Sequence, residues 1–423
     1  RRSESDGQKL EPGTARDAGT MNASLSKLPS PLNAPRPAPA AVARPFGGDD
    51  FDRDIWSVLG LPIDVMTAPE AVQAIEIAAR DRRPLSFVTP NVNFLVRAMR
   101  DAEARRQIID TDLSLVDGAP LVAIGRLAGV PIRERCAGSD VFDALRLRAG
   151  FAGRRVRVFF FGGRDGAAAA ASAAIEAEGR GVESAGYLNP GHGDLNEMSR
   201  NDVIDTINAA DADFVLVALG AAKGQAWIDR NRDRLSAPVV AHLGAVVDFV
   251  AGTVARAPSM VRRFGLEWAW RIKEDPLLWR RYWEDGLGLA SILLRNLAPV
   301  IRPAKGAGLP AEAVLRKSDG SSVIALSGDL IASGREPLRK AFRQAAAGGL
   351  DVVLDLKGAG SLDASFFGLV LMLEKNLRQK GAVIRLSNTS RAHRRIFSAN
   401  AMTYEDAAAP RPAAEGGSIA AAV

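Results

Sequence analysis

From about residue 51 onward, short continuous apolar runs alternate with stretches in which apolar residues return every three or four positions. PLSFVTPNV, LSLVDG, RVRVFFFGG, ADFVLVALG and PVVAHLG are each bounded by Gly, Pro or Asn and read as strands buried on both faces. AVQAIEIAAR and AAAAASAAIEAEG carry helical spacing between them. Strand and helix in alternation predict an α/β fold, a largely parallel Rossmann-like sheet with flanking helices. In such a sheet ligands gather beyond the carboxyl ends of the strands, so a site should draw residues from several strand ends.

A second, smaller α/β unit follows: strand SSVIALSG, helix REPLRKAFRQAAAGG, strand LDVVLDLKG, helix DASFFGLVLMLEKNLRQKG, strand AVIRLSN and helix RAHRRIFSAN. The expected organisation is a Pro/Ala-rich disordered leader over 1–50, a first domain over 51–303 with a basic segment over 256–303, a linker over 304–313, the second unit over 314–405 and a disordered tail over 406–423.

Composition narrows the picture. With 47% hydrophobic and 25% charged residues the chain is of globular type, and no run of about 18 uncharged apolar residues could span a bilayer. No apolar stretch follows the first arginines, so no secretory signal is read and a cytoplasmic location is expected. One cysteine, Cys136, and three scattered histidines exclude a disulfide framework and the usual Cys/His zinc cluster; no metal is expected. A net charge of +6 suits nucleic acid, anionic lipid or sugar nucleotide equally and does not choose among them.

Candidate chemistry sits where strands end. Thr89-Pro-Asn91-Val-Asn93 places a hydroxyl and two amides after LSFV, fit for sugar hydroxyls or phosphate, or equally for a proline turn with a local Asn bond. Asp117 in LSLVDG is either a proton acceptor for an attacking hydroxyl or a turn or capping residue. Arg135, beside Glu134, either counters a leaving diphosphate or makes a surface ion pair; Ser139 and Asp140 read as caps. Gly162 and Gly163 in FFFGGRDG make a strand-to-helix turn that can present N–H groups to phosphate or be a plain tight turn, and Lys223 and Gln225 stand at a similar turn in GAAKGQAW. Asp50, Asp52 and Asp54 mimic a metal-binding acidic triplet but precede the core strands and read as solvated surface carboxylates. Residues 252–282 crowd arginines, among them Arg256, Arg262, Arg263 and Arg271, with tryptophans and leucines; guanidinium forks suit phosphate oxygens and tryptophans suit the headgroup boundary, although a solvated amphipathic helix has the same pattern.

In their order, TPNVNF, LSLVDG, RERCAGSD, FFFGGRDG, LG-x-x-K-x-x-x-W at 219–227, GAVVDFVAGTVARAP, GLEWAWRI and DPLLWRRY resemble the WecG/TagA/CpsF glycosyltransferases from about residue 55 to 285. The resemblance implies an inverting, metal-independent enzyme that transfers from a UDP-sugar to a polyprenyl-diphosphate-linked glycan in polysaccharide assembly, peripheral on the cytoplasmic face of the membrane. It implies Asp117 as base, Thr89 and Asn91 in the substrate-binding TPN motif, Arg135 near the diphosphate, and the basic segment as a membrane-approaching appendage. The family's active-site glutamine falls here on Gly224, with Gln225 one position away. Residues 314–403 resemble a STAS domain, which implies a docking or regulatory module; Asp363-Ala364-Ser365 aligns Ser365 with a phosphorylatable serine, while Phe366 replaces the usual glycine and a helix-start role competes. The expected partners are thus the donor, the lipid-linked acceptor, the membrane face and a protein at the STAS module, with self-association allowed for and nucleic acid not expected. An inactive UDP-sugar-binding scaffold that signals through its STAS module is the alternative.

Overall fold

The computed structural model describes residues 49–149, 153–263, 265–301, 308–318 and 320–407. The leader up to residue 48, residues 304–307 of the linker and the tail beyond Ala407 lie outside the described residues.

An antiparallel hairpin, β1 (Ile55–Val58) and β2 (Leu61–Asp64), opens the chain, turning at Leu59 and Gly60 with φ of 52° and 85°. Six parallel strands follow: β3 (Leu85–Val88), β4 (Leu113–Ser114), β5 (Val156–Gly162), β6 (Val182–Leu188), β7 (Phe214–Ala218) and β8 (Val239–His242), in the order β4-β3-β8-β7-β5-β6. The FFF triplet of β5 shows why its run is apolar throughout. Phe160 packs with Phe142 and Phe214 on one face, whereas Phe159 and Phe161 pack with Trp227 on the other, as the two-residue side-chain period requires. The helix Ala68–Arg80 starts where Thr67 and Glu70 exchange capping bonds, Glu70 accepting from the Thr67 N–H at 2.7 Å.

The second sheet holds β9 (Glu312–Ser318), β10 (Ser321–Leu330), β11 (Asp351–Leu362), β12 (Ile384–Ser387) and β13 (Glu405–Asp406), in the order β13-β12-β11-β10-β9. Only β9 runs antiparallel to its neighbour. This strand begins at Glu312, inside the stretch read as linker, and β13 ends at Asp406, inside the stretch read as tail.

The second unit and the hairpin end of the first domain share one hydrophobic interior. Phe51, Ile55 and Ile109 belong to the same buried cluster as Phe366, Leu369 and Phe397 of the second unit. The helix Ala364–Arg378 lies so close to β1 that a Cβ on Gly368 would overlap the Ile55 carbonyl oxygen and come within 2.8 Å of the Trp56 Cα. Around this apolar contact runs a ring of ion pairs. Lys375, buried, donates to Asp50 at 2.8 Å and to the Thr111 carbonyl at 3.3 Å; Arg105 pairs with Glu374 at 2.8 Å, and Arg335 with Asp54 at 2.8 Å. Arg343 bonds Asp49 and Asp52.

Of the acidic stretch at 50–54, Asp52 and Asp54 are exposed as expected, though ion-paired, whereas Asp50 is drawn into the contact. Burial alone would raise the Asp50 carboxyl, but Lys375 and Arg53 outweigh it and hold the group below the usual carboxylate range. Its partners lie some 325 residues along the chain, which no local pattern can show.

Candidate active site

Asp117 stands just after β4, where the chain turns through Gly118 at φ 83° into the helix Ala119–Leu127. That positive φ favours glycine, and it lets the Gly118 N–H donate back to the Asp117 carboxylate at 2.6 Å. Burial raises the Asp117 carboxyl from 3.8 to about 6; Arg135, 3.9 Å away, and Arg271 oppose the rise, while Glu267 adds to it. A carboxylate so placed is ionised at neutral pH yet basic enough to take a proton from an alcohol as its bond forms.

Two cavities meet at this residue. The first, about 520 Å³, opens over the carboxyl ends of β3, β5, β7 and β8 and is lined by Thr89, Asn91, Gly163, Lys223, His242 and Asp248 among others. The second, about 560 Å³, runs beneath the basic segment and is lined by Trp268, Trp279, Tyr282, Trp283, Ile272 and Leu289. Asn91, Asp117, Ser139, Phe249, Arg271 and Arg281 line both. Trp268, Trp279 and Trp283 remain about half exposed, as do Leu266 and Leu287, and Leu277 and Leu294 are almost fully so. An apolar patch therefore surrounds the mouth of the second cavity.

The residues singled out by sequence separate into three groups. Thr89, Asn91, Asp117, Gly163, Lys223 and Arg271 all line the first cavity, and Arg135 the second. Asn91 lines the cavity and also makes the local bond weighed for it: its side chain caps the helix Val92–Ala98, accepting from the Asn93 N–H at 3.0 Å. Lys223 donates to the Gly193 carbonyl at 2.9 Å, holding the loop of Asn189 and His192 at the cavity wall.

A second group supports the site from outside. Asp140 gathers Arg135 at 3.0 Å, Arg262 at 3.0 Å and Arg256; Arg135 also bonds Glu267. The helix Gly138–Leu147 is capped at Ala137 without a side-chain bond, so neither Ser139 nor Asp140 is the cap expected; Asp140 instead holds these arginines, which are thereby matched by carboxylates. Arg263 lies in the helix Ser259–Arg263, and its side chain falls outside the described residues.

The third group faces elsewhere. Gln225 is 3% exposed and donates to the Gln107 carbonyl at 3.3 Å, because two steps along a helix rotate about 200° and carry it from the cavity side, where Lys223 sits, into the buried stripe of Trp227, Ile228 and Asn231. Gly162 pairs with Ala218 within the sheet, and the Gly163 N–H is spent on the Ala218 carbonyl at 2.8 Å, so this turn does not offer that donor to phosphate. Ser365 is fully buried, its Oγ donating to Asp363 at 2.6 Å beneath the contact with β1, which seals it from a kinase.

Sequence reasoning passed over Arg164, His242, Asp248, Phe249, Glu267 and Arg281. Most lie in runs that read as strand, helix or basic segment, and their convergence depends on the sheet order. His242 carried a signal: a polar residue closing an otherwise apolar strand. The basic segment is also less of an appendage than expected. Asp285 accepts from the Asn93 amide at 2.9 Å, and Ile292 and Val300 are buried in the core that also holds Phe94 and Ala399. Among the described residues no helix is long and apolar enough to cross a membrane, and no three His, Cys, Asp or Glu side chains converge as metal ligands.

The site thus places a carboxylate between a polar strand-end cavity and an aromatic groove, at the strand ends of a parallel α/β sheet. The chain belongs to the glycosyl transferase WecG/TagA/CpsF family, whose pattern matches residues 56–302, and residues 313–403 match the Mlab-type STAS domain. Over 211 residues it is 32% identical to an N-acetylglucosaminyldiphosphoundecaprenol N-acetyl-beta-D-mannosaminyltransferase of Bacillus spizizenii, a match covering 50% of this chain and 79% of that protein. A Bacillus subtilis protein of the same name is 30% identical over 198 residues, covering 47% of this chain and 73% of its own.

Proposed function

We propose that this protein transfers a sugar, with inversion, from a UDP-sugar to a polyprenyl-diphosphate-linked glycan at the cytoplasmic face of the membrane, in polysaccharide assembly. The observation that carries this reading is the position of Asp117 at the junction of the two cavities. The donor occupies the strand-end cavity and the lipid-linked acceptor enters by the aromatic groove. Asp117 takes the proton of the acceptor hydroxyl as its oxygen bonds to the anomeric carbon; the bond from that carbon to the diphosphate breaks, and UDP leaves with the electron pair.

Charge on the departing diphosphate is met by Arg271 and Arg281, which line both cavities, rather than by a metal. Arg135, matched by Glu267 and Asp140, instead positions Asp117 and tempers its basicity. Exposed Trp279, Trp283 and Leu277, flanked by Arg280 and Arg281, favour a peripheral hold on anionic lipid. The relatives' names support an N-acetylhexosamine as the donor sugar and N-acetylglucosaminyl diphosphoundecaprenol as the acceptor. The STAS module acts as a structural partner of the transferase domain.

The test is UDP release from UDP-N-acetylhexosamines with vesicles bearing that acceptor. Turnover by the wild type that Asp117→Asn abolishes is expected. Equal rates in both proteins would remove Asp117 as base, and UDP-sugar binding without turnover on any acceptor would leave the scaffold reading.

A further inference from the structure

His242 closes β8, the strand between β3 and β7 at the middle of the sheet, and its ring forms part of the floor of the strand-end cavity. It is 8% exposed, and its Nε2 is buried with no hydrogen-bond partner. Leaving such an atom unpaired costs about 1–3 kcal/mol, so a buried orphan on a cavity floor marks a place where a ligand atom completes the pairing.

The surroundings are shaped to admit this ring and nothing larger. A Cβ on Gly224 would overlap the imidazole Cδ2 and stand 2.9 Å from Nε2, and a Cβ on Gly244 would stand 3.1 Å from Nε2. Two glycines on separate helices, Ala221–Asn231 and Gly244–Val250, thus leave open the space that the ring edge fills. Gly224 is the position where a glutamine was expected, and the structure puts a different polar group, from the neighbouring strand, into the volume such a side chain would need.

Burial, with Arg97 nearby, pushes the His242 imidazole down to about 4, so at neutral pH the ring is uncharged and carries one donor and one acceptor nitrogen. An uncharged hydrogen-bonding group on the floor suits a hydroxyl or acetamido group better than a diphosphate. The diphosphate has its cations elsewhere, in Lys223, Arg271 and Arg281 at the walls.

We infer that His242 is a donor-specificity residue whose Nε2 hydrogen-bonds a hydroxyl or acetamido group of the transferred sugar on the floor of the strand-end cavity, where the ring edge fills the gap beside Gly224 and Gly244. The inference rests on the glycosyltransferase reading of the cavity. It assigns the sugar end of the donor to the floor beneath β8 and leaves the uridine diphosphate to the walls.

Calorimetric titration of the full chain with UDP, UDP-N-acetylglucosamine and UDP-N-acetylmannosamine tests it. In the wild type at least one UDP-sugar should bind more tightly than UDP. His242→Ala and the smaller, apolar His242→Val should weaken that sugar nucleotide about tenfold, the worth of one neutral hydrogen bond, with UDP affinity and melting temperature little changed. His242→Gln, which carries a polar atom out to the position of Nε2, should recover part of the loss, a recovery that a merely packing role would not give. UDP binding with the same sugar increment in all four proteins overturns the assignment of His242 alone. Failure of the wild type to bind UDP or any UDP-sugar overturns the glycosyltransferase reading and this assignment with it.

Discussion

Both halves of the molecule place an aspartate where a strand gives way to a helix, and they use it in opposite ways. Asp363, at the head of the helix Ala364–Arg378, accepts from the Ser365 and Phe366 N–H groups, the Ser365 hydroxyl and the Ala332 N–H, at 2.6–3.1 Å. Its bonding capacity is spent on the chain itself. Asp117 accepts from Gly118, stands 3.9 Å from Arg135 and keeps about a quarter of its surface open, at the meeting point of two cavities. The same local motif is a closed cap in one sheet and an available base in the other. The difference lies in the partners: donors of the chain itself saturate Asp363, whereas Asp117 lines two cavities that leave it room for a ligand.

The largest expected break in this contrast is Asp117→Asn, which should lower kcat/KM about a thousandfold, the scale of a lost general base, in UDP-release assays. In the wild type, kcat/KM should rise with pH through about 6 and level off as the carboxyl ionises. Stability should move the other way. Because the folded carboxyl titrates near 6 instead of 3.8, its stabilising contribution is complete below about pH 4 and is lost as pH rises through 6. Asp117→Asn should therefore stabilise the protein at pH 8 by about 2 kcal/mol in urea titrations and by little at pH 4. A mutant no more stable at pH 8 would show that Asp117 bears no such cost.

Next in size is Asp50→Ala, which leaves the buried Lys375 without its carboxylate and should cost about 3 kcal/mol, with both sheets still unfolding in one transition. Two separate transitions by near-ultraviolet dichroism and by fluorescence would contradict a shared interior. Ser365→Asp sets a charge beside Asp363 in a dry site and should cost about 2 kcal/mol, against about 1 kcal/mol for Ser365→Ala. A phosphomimetic as stable as the wild type would reopen the regulatory role. Smallest is Trp283→Ala, expected to weaken binding to anionic vesicles a fewfold, more visibly at high salt where arginine attraction is screened, with UDP affinity untouched.

What could be foreseen followed the range of the forces involved. Local periodicity gave five of the six strands of the parallel sheet, because strands buried on both faces are continuously apolar. The local bond weighed for Asn91 is the cap of the helix Val92–Ala98, within reach of sequence because capping chemistry is local. Periodicity did not give β6, whose VESAGYL mixes polar and apolar residues on a sheet edge, or the hairpin at 55–64, where the turn falls on Leu59 at φ 52°. Asp117, Thr89 and Asn91 were legible from strand ends and order. The orientation of Gln225 and the junction of two cavities at Asp117 were not, since both depend on which helix packs on which strand. The role of Asp50 was furthest from reach, as its partner Lys375 belongs to another sheet.

The contact of Gly368 with the Ile55 carbonyl bears on the history of this chain. Sequence similarity divides it into two modules that exist apart elsewhere, but here the seam of descent is not a seam of folding. Once a carbonyl and a helix backbone have closed to touching distance, with Lys375 sunk between them, neither module retains the wetted surface it needs to travel alone. The fusion has become one-way: recombination that split this chain near residue 303 would yield two fragments, each carrying an apolar wound.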